Sequence, residues 1–221
     1  MENLAQQVID AVHGRWAANN QKYPAGYAVF YSALRESPTL LLLGLNPGGD
    51  ERDFSGEKER VRSRDESMEY VKYGCENGYR LAQKTVQLFE SIGKKDLLRG
   101  SVKTNLNFFR SKKWVELGRE DARFCENLAF KVIRDIRPKV LFCESLFVFD
   151  SVLRNLYKGI ALKSLQHYSR GKRRKYESYL TNASTLPRLI IGITHLTGSR
   201  PSREDMEEIG RRLREDLESL D

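Results

Sequence analysis

Short apolar runs alternate with longer amphipathic stretches along this chain. Residues 40–43, Val140–Cys143 and Leu189–Ile193 are apolar without alternation, as expected of strands buried on both faces. Residues 102–109 read as a further strand running into a loop. Between these runs the spacing turns helical. Leu4, Val8, Val12 and Trp16 form one stripe, and Tyr79, Ala82, Val86 and Phe89 form another that stops at Gly93. Phe124, Leu128 and Val132 form a third, closed by Arg137-Pro138, and residues 145–157 return to helix. Near the end, Ser202 with Asp205 has the form of a capping box, and Met206, Ile209, Leu213 and Leu217 line the helix that it opens.

Apolar strands separated by helices predict an α/β fold: a three-layer α/β/α sandwich around a short, mostly parallel central sheet. At 221 residues the chain fits a single domain over 1–221. Two stretches read as surface insertions, near 50–74 and near 163–176. The first mixes charges. The second carries a basic run between aromatics, including Lys172, Arg173 and Arg174, and it is suited equally to phosphate contact and to a solvated loop.

Charge sharpens this picture without naming an activity. The net charge of +8 favours a polyanionic partner such as DNA. Cys75, Cys125 and Cys143 are far apart and odd in number, which argues against a zinc site, an iron–sulfur site and a disulfide scaffold. No apolar run is long enough to span a bilayer, and residues 1–5 carry an early acid with no apolar signal core. A cytoplasmic protein with no membrane partner is expected, as a monomer.

Parallel sheets carry their sites just beyond the carboxyl ends of the strands, so the loops after residue 43, near 105 and after Ile193 should converge. The first is Gly44-Leu45-Asn46-Pro47-Gly48, whose glycines and proline set a tight turn around an amide that both accepts and donates. Taken alone it reads as a turn without chemistry. The other is Thr194-His195-Leu196-Thr197-Gly198-Ser199-Arg200, and a lone strand-end His reads equally well as structural. Convergence of the two loops is what raises the chemical reading.

Together they resemble the uracil-DNA glycosylase superfamily. Gly44 to Gly48 are similar to its first catalytic motif, in the version with Asn in place of Asp found in the mismatch-specific and single-strand-selective branches. His195 and the loop after it resemble the second motif, with Leu196 and Gly198 where prolines are usual. Asn105 is similar to the base-reading Asn. The resemblance runs from roughly residue 27 to 215, in the family's order. It implies a monofunctional DNA glycosylase, a hydrolase of N-glycosyl bonds in base excision. Such an enzyme flips out uracil or another modified pyrimidine and leaves an abasic site, with no metal and no organic cofactor.

By the same resemblance, Asn46 orients a water, His195 donates to a pyrimidine carbonyl and Asn105 reads the base edge. Gly44, Leu45, Pro47 and Gly48 shape the pocket, and Phe54 or Tyr73 stacks on the base. Arg200, beside Ser199, is the expected wedge in the duplex. Arg110, Lys112 and Lys113 are expected at phosphates, with ordinary surface charge an equal alternative. The unusual second loop and the insertions leave room for a bulky base, such as hydroxymethylated or glucosylated cytosine in phage DNA, which would make this an antiviral defence enzyme. The rival reading is a non-catalytic DNA-binding module on the same fold. An enzyme acting on free nucleotides is less favoured, because there is no phosphate-loop lysine motif.

Overall fold

The computed structural model describes residues 1–19, 22–48, 70, 80–111 and 117–220. Apart from Tyr70, the stretch expected as a first insertion lies outside them, and so do Phe54, Tyr73, Lys112 and Lys113. Helix α1 (Glu2–Ala17) precedes strand β1 (Leu40–Gly44). Helices α2 (Arg80–Ser91) and α3 (Lys95–Arg99) lead to β2 (Val102–Asn105), and α4 (Arg119–Ile136) leads to β3 (Val140–Cys143). Then come α5 (Leu146–Asn155), β4 (Lys163–Arg170), β5 (Arg173–Leu180), β6 (Leu189–Ile193) and α6 (Arg203–Glu218).

The strands form one six-stranded sheet in the order β2-β1-β3-β6-β5-β4. The first four are parallel, with Gly44 beside Asn105, Leu43 beside Cys143, and Cys143 beside Gly192. Every residue of β1, β3 and β6 is buried, as their unbroken apolar runs demand. Alternation then divides the core. Leu41, Leu43 and Leu141 face α1, α4 and α5 through Val8, Val12, Ile133, Phe149 and Val152. Leu40, Leu42 and Phe142 face α2 and α6 through Val86, Phe89, Ile209 and Leu213. Each such aliphatic side chain contributes about 1.5–3 kcal/mol by leaving water. The α/β/α sandwich expected from the pattern is therefore the observed architecture.

Strand β2 runs into a loop as expected: it stops at Asn105, the chain then turns, and Phe108 and Phe109 pack as buried side chains beside the segment at Tyr27, which bridges Phe109. The stretch 163–176, by contrast, is not an inserted loop. It is β4 and the first half of β5, a hairpin that extends the sheet antiparallel from β6. Register shifts between Ser164 and Gln166 and between Tyr168 and Ser169 break the period of two, so the alternation that identifies a strand is not visible in the sequence. Even so, Tyr176 is fully buried, and Leu165 and Tyr168 pack against the second core. Gly171, at φ +59°, makes the turn.

The register of the hairpin sets which end of the sheet it extends. Tyr176 lies opposite Ile193, the last residue of β6, so the chain before Tyr176 projects beyond the carboxyl end of the parallel strands. A buried latch fixes it there. Lys175 Nζ donates to Asp205 Oδ2 at 3.0 Å and Tyr168 donates to Asp205 Oδ1 at 3.0 Å. Asp205 is also the N3 member of the capping box with Ser202 that opens α6, as the sequence predicts. Among the described residues, no helix is long and apolar enough to cross a membrane.

Candidate functional site

The loops after β1, β2, β3 and β6 meet at one end of the sheet. The chain leaving β2 is laced to the chain leaving β1: the Leu106 amide donates to the Gly44 carbonyl at 2.8 Å, and the Asn107 amide to the Leu45 carbonyl at 2.9 Å. Gly44 is required by what lies above it. A Cβ there would come within 3.0 Å of Asn105 Oδ1, Lys103 Nζ and Glu144 Oε2, so only a glycine lets these polar groups converge. They wall a cavity of about 90 Å³ that Leu45, Asn46 and His195 also line. The cavity takes the edge of a ring rather than the whole of it, since roughly 150 Å³ holds a benzene molecule.

Three residues expected at the site are brought together here, and their hydrogen bonds orient each one. Asn46 Nδ2 donates to the carbonyls of Pro47 (3.1 Å) and Ser111 (3.0 Å), which leaves Oδ1 as the acceptor of this cavity-lining residue. Asn105 accepts from Lys103 Nζ at Oδ1 (3.2 Å), which leaves its NH2 group. His195 accepts at Nδ1 from the Gly198 amide at 2.9 Å, with Thr197 Oγ1 at 3.2 Å. A backbone amide can only donate, so the proton of the neutral ring is on Nε2. Burial lowers the His195 pKa below the usual 6.5; Glu144 opposes the shift and Lys103 reinforces it. The neutral Nε2–H donor is the state present at neutral pH.

Lys103 and Glu144 were not singled out from the sequence. Their side chains are 2% and 3% exposed, and Nζ lies 2.7 Å from Oε2. Lys103 also donates to the Thr104 carbonyl at 3.0 Å, and its ammonium lies 5.7 and 5.5 Å from the ring centres of Tyr31 and Tyr70. Tyr70 donates to Glu144 Oε2 at 3.3 Å. Tyr31 and Tyr70 are thus the described aromatics at the cavity, where Phe54 or Tyr73 was expected. The signal for Lys103 and Glu144 was available in part: a Lys inside a short buried strand, and a Glu directly after an apolar one, at the strand end where Asn105 was noticed.

The remaining expectations divide. Pro47 is buried and Gly48 exposed, and they shape the turn without lining the cavity. Arg110, expected at a phosphate, is buried and donates to the Gly48 carbonyl, so it braces the first loop from inside. Arg174, expected at DNA, is held by Asp150 at 2.5 Å and by Glu177 at 3.3 Å, so its charge is compensated within the fold. Lys172 and Arg173 are exposed at the hairpin turn, and Ser199 and Arg200 are exposed in the loop after His195. Arg200 adopts φ +43°, and the Ser199 amide closes that loop onto the His195 carbonyl at 3.0 Å.

Burial pushes the Cys125 thiol up to about 12 and the Cys143 thiol further, which leaves both inert at neutral pH. Among the described residues no group of acidic, His and Cys side chains could hold a metal. The chain matches no protein-family model and no curated protein sequence.

Proposed function

We propose that this protein is a monofunctional DNA glycosylase that hydrolyses the N-glycosidic bond of a flipped-out pyrimidine nucleotide. The observation that carries the proposal is the polarity of the cavity wall. His195 and Asn46 line the same small space, and backbone partners hold His195 Nδ1 and Asn46 Nδ2, which leaves an Nε2–H donor on one and an Oδ1 acceptor on the other. The motif resemblance and the sheet order that brings the two loops together support the same reading.

The chemistry follows from those two groups. As the bond between the sugar C1′ and the base nitrogen breaks, its electron pair leaves with the base, and negative charge grows on the pyrimidine O2. A neutral imidazole N–H aimed at that oxygen stabilises the leaving base where its charge develops. The sugar becomes electron-poor, and a water oriented by Asn46 Oδ1 adds its oxygen to C1′ and loses a proton to solvent. Asn46 is neutral and orients the water without deprotonating it, so departure of the base supplies most of the driving force.

DNA would lie across the carboxyl ends of the strands. Lys172 and Arg173 at the hairpin turn and Arg200 in the His195 loop are exposed on that side. Flipping the nucleotide costs about a few kcal/mol, which contacts of this kind would offset. The test is release of a free base and formation of alkali-labile abasic sites from oligonucleotides carrying single modified pyrimidines. Release that persists undiminished in both N46A and H195A would remove the site assignment. Salt-sensitive DNA binding with no release from any substrate would instead identify a non-catalytic DNA-binding module.

A further inference from the structure

Glu144 stands out because half of its carboxylate is accounted for and half is not. Oε2 takes Lys103 at 2.7 Å and Tyr70 at 3.3 Å, whereas Oε1 of this cavity-lining residue is buried and has no hydrogen-bond partner among the described residues. A buried carboxylate oxygen left unpaired is costly, and a ligand that donates to it removes that cost. Lys103 cannot serve the ligand instead. Its ammonium has three donors, and Glu144, Asn105 and the Thr104 carbonyl take all of them.

The sheet order supplies the rest. Asn105 ends β2, Glu144 follows β3 and His195 follows β6, in the strand order β2-β1-β3-β6. Glu144 therefore comes between the other two along the cavity wall, with side-chain-free Gly44 making room. Asn105 offers NH2, because Lys103 holds its oxygen; His195 offers Nε2–H, because Gly198 holds Nδ1. Along the wall the groups run donor, acceptor, donor.

We propose that Glu144 is the specificity-determining acceptor of this site: it receives the N3–H of a 2,4-dioxopyrimidine whose flanking carbonyls face Asn105 and His195. Lys103 is its positioning partner, holding the carboxylate by Oε2 and the Asn105 amide by its oxygen. A uracil-type edge presents carbonyl, N–H and carbonyl, and it complements the wall at each place. A cytosine-type edge presents a lone pair at N3, against the carboxylate, and an amino group facing the Asn105 donor. The inference rests on the glycosylase reading for the identity of the ligand, and it favours an oxo base over the modified cytosines that the sequence left open.

The experiment compares single-turnover release from oligonucleotides differing only in the target base: uracil, N3-methyluracil or cytosine. Ligand-observed NMR of the free bases uracil and cytosine runs beside it. Wild type should favour uracil over each alternative by at least about tenfold, in line with one unsatisfied buried partner. In Glu144→Gln the amide oxygen stays on Lys103 and NH2 replaces the acceptor, so the uracil-over-cytosine ratio should fall at least about tenfold. Equal loss on all substrates, with that ratio unchanged, marks a scaffold role for Glu144 and overturns the proposal. If wild type releases no base at all, the glycosylase reading fails separately. The NMR preference then decides: uracil binding favoured in wild type and levelled in Glu144→Gln supports Glu144 as the reader, and equal binding overturns it. Should Glu144→Gln not fold, equal release of uracil and N3-methyluracil by wild type is sufficient to overturn it.

Discussion

The Gly198 amide donates to Nδ1 of His195 across 2.9 Å, and this one bond decides which face of the ring carries the proton. With Nδ1 occupied, Nε2 carries the proton of this cavity-lining ring, and burial lowers its pKa from the ordinary value. His195→Ala should then lower base release by about 10²–10³-fold, as loss of one charge-stabilising donor does, with substrate affinity much less affected. A single-turnover rate constant set beside a Kd separates these effects.

The same residue fixes a pH dependence. Neutral His195 is the working form, and its folded pKa is lowered from 6.5. The unfolded chain therefore binds this proton more readily, and the His195 contribution to stability is complete above 6.5 and declines as pH falls below it. Base release should fall on acidification with a midpoint below 6.5. A midpoint at or above 6.5 in the rate profile would count against the neutral donor.

Asn46 carries a prediction that runs against intuition. Aspartate is the better base, yet the Asn46 amide nitrogen serves two backbone carbonyls, those of Pro47 and Ser111. Asn46→Asp sets a carboxylate oxygen against both. We expect it to destabilise the protein by about 1–3 kcal/mol, the cost of leaving such partners unmet, and to lose activity rather than gain it. Chemical denaturation and a rate measurement on the folded variant check the two halves.

How far these features were legible in the sequence depended on whether a residue's partners were local. Strands β1, β3 and β6 announced themselves because burial on both faces writes an unbroken apolar run. The Ser202 capping box was readable because its two members stand three residues apart. Asn46, Asn105 and His195 could be placed near one another because parallel strands end at one edge of the sheet. Lys103 and Glu144 were missed because their relation exists only once β2, β1 and β3 are aligned, and a lone Lys or Glu reads as solvent-facing. Arg110 and Arg174 were misread for the same reason: the Gly48 carbonyl and Asp150, which claim them, are distant in sequence. In β4, bulges erased the alternation that would have revealed the strand.

Asp205 ties the hairpin to the loop that holds His195. Burial alone would raise its pKa, but hydrogen bonds from Lys175, the Ser202 amide and Tyr168 outweigh that and hold it down to about 2. A depressed carboxylate stabilises the fold above its unfolded pKa of 3.8, and this contribution is lost as pH falls from there toward 2. Asp205→Ala leaves Lys175 buried and unpaired and removes the half of the capping box in which Asp205 Oδ2 accepts from the Ser202 amide. We expect a loss of about 3–5 kcal/mol and a melting temperature lower by about 10 °C. An acid-unfolding transition that moves to higher pH in the variant would accompany it; an unchanged melting temperature would mean that the latch contributes nothing.

The hairpin turn separates two kinds of arginine that composition alone treats alike. Lys172 and Arg173 are exposed beyond the carboxyl end of β6, on the side of the cavity, whereas Arg174 is bound to Asp150 and Glu177. If DNA crosses this face, Lys172→Ala and Arg173→Ala should each weaken binding to all sequences alike and reduce the salt dependence of log Kd by about one phosphate contact. Arg174→Ala should leave that slope unchanged and act on stability instead, by no more than about 1 kcal/mol for a half-exposed pair. Titrations of duplex and single-stranded DNA at several salt concentrations read the slopes directly. Slopes that fall equally in all three variants would mean that Arg174 leaves Asp150 to meet the phosphates, so that the hairpin rearranges on binding. Slopes that fall in none would move the DNA path to the Arg200 side of the cavity.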